Sequence, residues 1–265
     1  MPITALVIQY DGAGFFGFQK QKTIPSVQQT LETALSTIFK EKIKITGAGR
    51  TDTGVHAWGM VVSFEHRKEI VNYHKLITSI NALSSSGVYV LSASIMPPKF
   101  NARFSCTERE YEYWILNTKY PYPLFSGRAT WIHVPLYIEL LEGQFKDILG
   151  RNNFKSFAKA SSIKEKPTER EITSVSISRS KECEGIIKIN IRGSGFLHNM
   201  IRILVGSAIQ VSLGKTKMGL KEIIEKENRI SAGITLPPYG LYFKRAYYKE
   251  YPQINNLYYS EVLAK

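Results

Sequence analysis

Residues Ile3–Tyr10 (ITALVIQY) form an apolar, β-rich stretch that stops at the turn pair Asp11-Gly12 and predicts a strand. From Ser26 the period changes. Val27, Leu31, Ala34, Leu35 and Ile38 recur at helical spacing behind an S-x-x-Q capping signal, Ser26 to Gln29, predicting a helix over about 26–40. KIKIT at 42–46 alternates as a strand does, and a glycine-rich stretch, Gly47–Gly59, leads into a strand over Met60–Glu65. Asn72 can cap a helix whose inner face is Leu76, Ile77, Ile80 and Leu83, and Val88–Ile95 reads as a strand. The order is β-α-β-β-α-β.

After Pro97-Pro98 the same order is predicted again. Thr107–Asn117 is a strand with alternating aromatics; Pro135 to Leu149 is a helix facing inward through Ile138, Leu141, Phe145 and Ile148, with Gly150 as its stop. Ile172–Arg179 and Ile186–Arg192 are strands about the polar turn KECEG. Phe196–Leu213 carries a buried-helix stripe, followed by a short helix around 219–227 and a strand over Leu241–Tyr247. No repeat is visible at the level of residues, so duplication rests on element order alone. The expectation is an α+β protein of two ferredoxin-like halves, 1–105 and 106–265, in a pseudo-twofold arrangement with a catalytic cleft between them.

Composition narrows the function. With 265 residues, 43% hydrophobic and 22% charged, the chain can bury a sizeable core, which excludes wholesale disorder. No apolar run approaches the ~20 residues of a membrane span, and MPITALVIQYDG has neither the basic head nor the cleavage site of a secretory signal. Cys106 and Cys183 stand outside any CxxC or Cys/His spacing, which argues against a disulfide framework and a metal site. A cytoplasmic protein is expected. The net charge of +13 points to a polyanionic partner, and 15 Tyr and 13 Phe supply faces on which bases can stack.

Two glycine clusters carry the candidate chemistry. Gly12-Ala13-Gly14-Phe15-Phe16-Gly17 satisfies G-x-G-x-x-G after a strand, but the next helix starts near Ser26 instead of inside the glycines. The acidic residue, Glu32, falls mid-helix, so a glycine turn is the better reading than a nucleotide site. Gly47-Ala48-Gly49-Arg50-Thr51-Asp52-Thr53-Gly54-Val55-His56 lacks the ending of a phosphate loop. Arg50 two residues before Asp52 can hold that carboxylate ionised and offer a cation to phosphate; a lone aspartate among glycines is otherwise a turn former. His198 and Arg202 fall four apart on one face of the predicted 196–213 helix. An arginine there reaches water from the helix edge or needs a carboxylate, for which Asp52 is a candidate. Alternation sets Tyr111 and Tyr113 on one face of their strand, as core or as a stacking surface.

Together these blocks resemble the TruA-type tRNA pseudouridine synthases from about Ala5 to Tyr248. The resemblance is carried by Tyr10-Asp11-Gly12, Gly17-Phe18-Gln19, Ser26-Val27-Gln28, Gly49-Arg50-Thr51-Asp52-x-Gly54-Val55-His56 and Ala102-Arg103-Phe104-Ser105. Tyr111-x-Tyr113, Asn153-Phe154-x-Ser156-Phe157, Phe196-Leu197-His198-x-Met200-Ile201-Arg202 and Gly240-Leu241-Tyr242 continue it in order. The resemblance implies a homodimer that isomerises uridine to pseudouridine at positions 38–40 of the tRNA anticodon arm, with no cofactor, metal or membrane. It implies that Asp52 is the catalytic aspartate, Arg50 its loop neighbour and Arg202 its ion-pair partner, with Tyr111 and Leu241 against the target base. Phe18 stands where the family usually has Trp, Asn101 where a histidine is common, and Asn199 where a second histidine is frequent. A catalytically silent RNA-binding module is the rival reading; its weakness is that binding alone has no use for an Arg–Asp pair.

Overall fold

The computed structural model describes residues 1–84, 87–163 and 167–258, and its contacts divide the chain into two compact units, 1–109 with 242 onward, and 110–241. The first unit opens with β1 (Ile3–Tyr10), α1 (Val27–Phe39), β2 (Ile45–Gly47), β3 (His56–Glu65), α2 (Tyr73–Leu83) and β4 (Val88–Met96). β1 pairs antiparallel with β3 and β4, and β2 pairs antiparallel with β3. The resulting order, β4-β1-β3-β2, is the split β-α-β arrangement expected of the first half. β1 lies in the middle, so its residues face cover on both sides: Ala5, Leu6, Val7 and Ile8 are wholly buried. That is why it reads as an unbroken apolar run instead of an alternation.

Local signals set the helix starts. Ser26 Oγ accepts the Gln29 N–H (3.3 Å), though the reciprocal half of a capping box is missing, since Gln29 Oε1 has no hydrogen-bond partner. Asn72 Oδ1 accepts the Lys75 N–H (2.8 Å) at the start of α2. Leu76 and Ile80 face inward as predicted, whereas Leu83, at the last position of α2, is exposed. β2 starts three residues later than the alternation suggests, because Ile43 N donates to Ser36 Oγ (3.0 Å) at the end of α1 and not to a strand. Glu32, buried within α1, accepts the Ile45 N–H (3.2 Å) and the Gln28 amide (2.8 Å), joining the helix to β2.

The second unit holds β5 (Glu108–Leu116) from Glu110 onward, β6 (Thr130–Trp131), α3 (Ile138–Lys146), β7 (Gly150–Asn153), β8 (Glu169–Arg179), β9 (Ile186–Gly193), α4 (Met200–Ser212) and α5 (Leu220–Glu225). Its strand order is β5-β9-β8-β7, with β6 parallel to β5. Phe145, Phe154, Phe157, Ile189 and Leu204 form its core. The helix predicted from Phe196 begins only at Met200, because Asn199 takes a left-handed conformation, φ 65°, which asparagine tolerates better than most residues. His198 therefore lies in a turn before α4, and the one-face relation expected between His198 and Arg202 does not arise.

The chain ends with β10 (Leu241–Tyr247) and α6 (Ile254–Leu257). β10 was expected to finish the second half. It pairs parallel with β3, Tyr242 opposite His56 and Phe243 opposite Ala57, and from Tyr242 onward groups with the first unit.

Candidate active site

The loop between β2 and β3 carries Arg50 and Asp52, and its shape is fixed by the glycine turn that follows β1. Thr51 is gripped twice: its carbonyl accepts the Phe18 N–H (3.1 Å) and its hydroxyl meets the Tyr10 hydroxyl (2.8 Å). Val55 N donates to Asp52 O (3.1 Å), closing a tight turn through Gly54 at φ 78°. A Cβ on Gly12 would stand 2.2 Å from Val55 O, and one on Gly17, itself at φ +92°, 2.8 Å from Thr51 O. These two glycines are therefore required by the chain's own loop pressing on them. The first and last glycines of the G-x-G-x-x-G string are thus accounted for by packing, and Glu32, the acid that a nucleotide fingerprint would need, accepts the Ile45 N–H. In this cradle Asp52 is half-buried and Arg50 exposed.

Phe18, in place of the usual tryptophan, is buried with its ring against Gly47, where a Cβ would meet it at 2.5 Å. The exchange at this position thus acts through packing behind the loop.

His56 closes the downstream end. It is 2% exposed, with Nδ1 3.0 Å from Asp11 Oδ1 and 3.1 Å from Gly12 N. Asp11 Oδ1 also accepts the Ala13 N–H (3.0 Å). The imidazole stacks on Tyr242 (centroids 4.8 Å apart), and Tyr242 on Trp58 (5.3 Å). Sequence reasoning assigned no role to Tyr10, Asp11, His56 or Tyr242. Their presence in the blocks that carry the family resemblance was the available signal.

The other three expected site residues belong to the second unit. Tyr111 lies on β5, 8% exposed, edge-on to Phe196 at 5.3 Å. Arg202, on the first turn of α4, is half-buried; its Nε donates to Leu236 O (2.7 Å) and its Nη1 to Asn199 Oδ1 (2.9 Å). Leu236 N returns a bond to Arg202 O (3.3 Å). Two residues beyond Tyr111, Tyr113 donates its hydroxyl to Pro237 O (2.8 Å) and meets Thr130 Oγ1 (2.6 Å). Burial pushes the Tyr113 phenol well above its ordinary value, so it stays a neutral donor. Arg202 and Tyr113 thus pin the segment 236–240 that delivers Leu241, which is itself 7% exposed. Tyr113→Phe should cost about 1–3 kcal/mol in urea unfolding, because it takes the hydroxyl partner from the buried Thr130 side chain and the donor from the part-buried Pro237 carbonyl. An unchanged midpoint and slope would show that the segment needs no such tether.

Among the described residues no group of three or more His, Cys, Asp or Glu side chains is placed to hold a metal ion.

Residues 6–105 and 145–249 match the family model described as tRNA pseudouridine synthase. A "tRNA pseudouridine synthase A" of Leptospira biflexa is 44% identical over 262 residues, covering 97% of this chain and 98% of the relative. Proteins of the same name from Leptospira interrogans (46% over 200 residues, 75% of this chain and 97% of the relative) and Neorickettsia sennetsu (36% over 243, 91% and 98%) are also similar. The chain belongs to the tRNA pseudouridine synthase family.

Proposed function

We propose that this protein isomerises uridine to pseudouridine at positions 38, 39 and 40 of the tRNA anticodon stem and loop, with Asp52 as the catalytic aspartate and without a cofactor. The observation that carries this reading is the Arg50–Asp52 loop, held in one conformation by Tyr10, Gly12, Gly17 and Phe18 in a member of this family. A carboxylate set on so constrained a backbone suits chemistry that needs a charge at one point.

The reaction breaks the bond between N1 and the sugar C1′ and joins C1′ to C5. The C5 proton leaves and N1 gains one, so atoms balance with no redox partner and no phosphate energy. A stacked base cannot be reached, so the uridine swings out, at about a few kcal/mol. Asp52 then acts either as nucleophile or as the anion facing a charged sugar intermediate. Arg50 and Arg202 are the cations assigned to this carboxylate, while Tyr111 and Leu241 bear on the base. In this reading the protein works as a homodimer. A cytoplasmic setting agrees with its two unpaired thiols, Cys106 and Cys183.

Pseudouridine has the mass of uridine, so the test is chemical mapping of tRNA incubated with and without the protein. Protein-dependent pseudouridine at positions 38–40 is expected; its absence, or its appearance only elsewhere, overturns the proposal. Binding should also weaken steeply with salt, with log Kd rising by about 0.7–0.9 per decade of salt for each phosphate contacted. A flat response between 50 and 200 mM would detach the +13 charge from RNA.

A further inference from the structure

Between β4 and β5 the chain lifts an aromatic ring into solvent from a rigid base. Phe104 is 80% exposed. A single exposed apolar residue is ordinary on a protein surface, but this one is not there through slack in its turn. Asn101 Oδ1 accepts the N–H groups of Arg103 (2.9 Å) and Phe104 (3.1 Å), and Asn101 N donates to Ser105 Oγ (3.1 Å). Ala102 is held from below, its N–H on Ser63 Oγ (3.0 Å) and its carbonyl under the Tyr248 hydroxyl (2.7 Å). Arg109 then makes the link that matters most. Its Nη2 donates to Arg103 O (3.0 Å) and its Nε to Ala48 O (3.0 Å), so one guanidinium joins this turn to the start of the Arg50–Asp52 loop. All of these groups lie in the first unit. The Arg103 guanidinium sits 5.6 Å from the Phe104 ring centre, placing a cation beside the π face.

We propose that Phe104 is a stacking platform for an unstacked nucleobase of the RNA substrate, with Arg103 serving the adjoining phosphate. This rests on the tRNA reading above and adds a contact to it. An aromatic face bordered by a cation is the chemistry that single-stranded nucleic acid selects, the ring serving any base and the cation its backbone. The rigid turn removes the ordering cost that a mobile loop would charge against binding. Arg109 fixes the platform relative to Asp52, so a base resting on Phe104 helps hold its neighbour at the reacting carboxylate.

The experiment compares Phe104→Ala, Phe104→Leu and Phe104→Trp in the full chain, measuring direct tRNA binding and the KM and kcat for pseudouridine formation. Loss of one stacked base should weaken binding and raise KM roughly 5- to 150-fold in Phe104→Ala, with kcat changed less. Phe104→Leu should remain impaired, because it restores apolar area without a π face, and Phe104→Trp should recover. All three should keep the wild-type melting temperature, since the ring is exposed. Binding and KM within twofold of wild type in Phe104→Ala, or full rescue by leucine, would overturn the platform. So would a change in oligomeric mass without a change in RNA affinity, which would make the ring a protein contact. Wild-type protein that binds tRNA but forms no pseudouridine would sink the isomerase reading while leaving the binding comparison decisive for Phe104.

Discussion

Asp52→Asn is expected to lower pseudouridine formation by at least ~10,000-fold, the scale on which loss of an essential catalytic group slows other enzymes. The substitution is nearly isosteric, and the turn that shapes the loop uses the Asp52 main chain, whose carbonyl accepts Val55 N at 3.1 Å. The loop should therefore keep its form, and so should the melting temperature. Binding of tRNA should stay level or tighten, because one negative charge fewer faces a polyanion. This split distinguishes a catalytic carboxylate from a structural one, whose loss would lower stability and binding together. Single-turnover mapping with variant in excess of tRNA is the decisive measurement. Turnover within tenfold of wild type would remove Asp52 from the mechanism, and Arg50 and Arg202 would lose their assigned purpose with it.

The first half of the chain was legible because its signals are local. Ser26 and Asn72 cap their helices with the side chains the sequence advertises, and the apolar run of β1 ends at Asp11 where the strand does. Where reading failed, a distant partner decided the structure. β7, the polar segment Gly150–Asn153, is a strand only because β8 runs beside it, with Gly150 opposite Ile172 and Asn153 opposite Glu169. β6 is two residues long and owes its existence to pairing with β5. Nothing near Leu241 announces that the strand starting there will lie along β3, since that register is made across most of the chain.

The site divides the same way. The Arg50–Asp52 pair is visible in a string of ten residues, because close spacing and glycines are sequence properties. The residues that shape its loop are not, since Tyr10, Gly12 and Gly17 act on it from some forty positions away. For Arg202 the sequence leaves a reach to water or a carboxylate partner open; two of its bonds go to the Leu236 carbonyl and the Asn199 amide oxygen. Neither partner could be foreseen from a helix drawn four residues too long.

The three glycines after β1 should respond to a methyl group in sharply different ways. Gly12→Ala puts a Cβ 2.2 Å from Val55 O, a backbone atom that cannot rotate aside. Either the turn or the loop must move by around an ångström, costing about 1–3 kcal/mol as overpacking does elsewhere. Displacement of that size near a reacting group lowers rates about 100-fold, so kcat should fall on that scale even where the variant remains folded. Gly17→Ala combines a 2.8 Å approach to Thr51 O with φ +92°, and should be impaired in the same direction. Gly14 has no atom within 4 Å of the added methyl, so Gly14→Ala should match wild type in melting temperature and kcat. A nucleotide fingerprint predicts otherwise, because its second glycine is the one that must admit the pyrophosphate. Impairment by Gly14→Ala with tolerance at Gly12 would mean that a ligand, and not the Thr51–Val55 backbone, dictates these glycines.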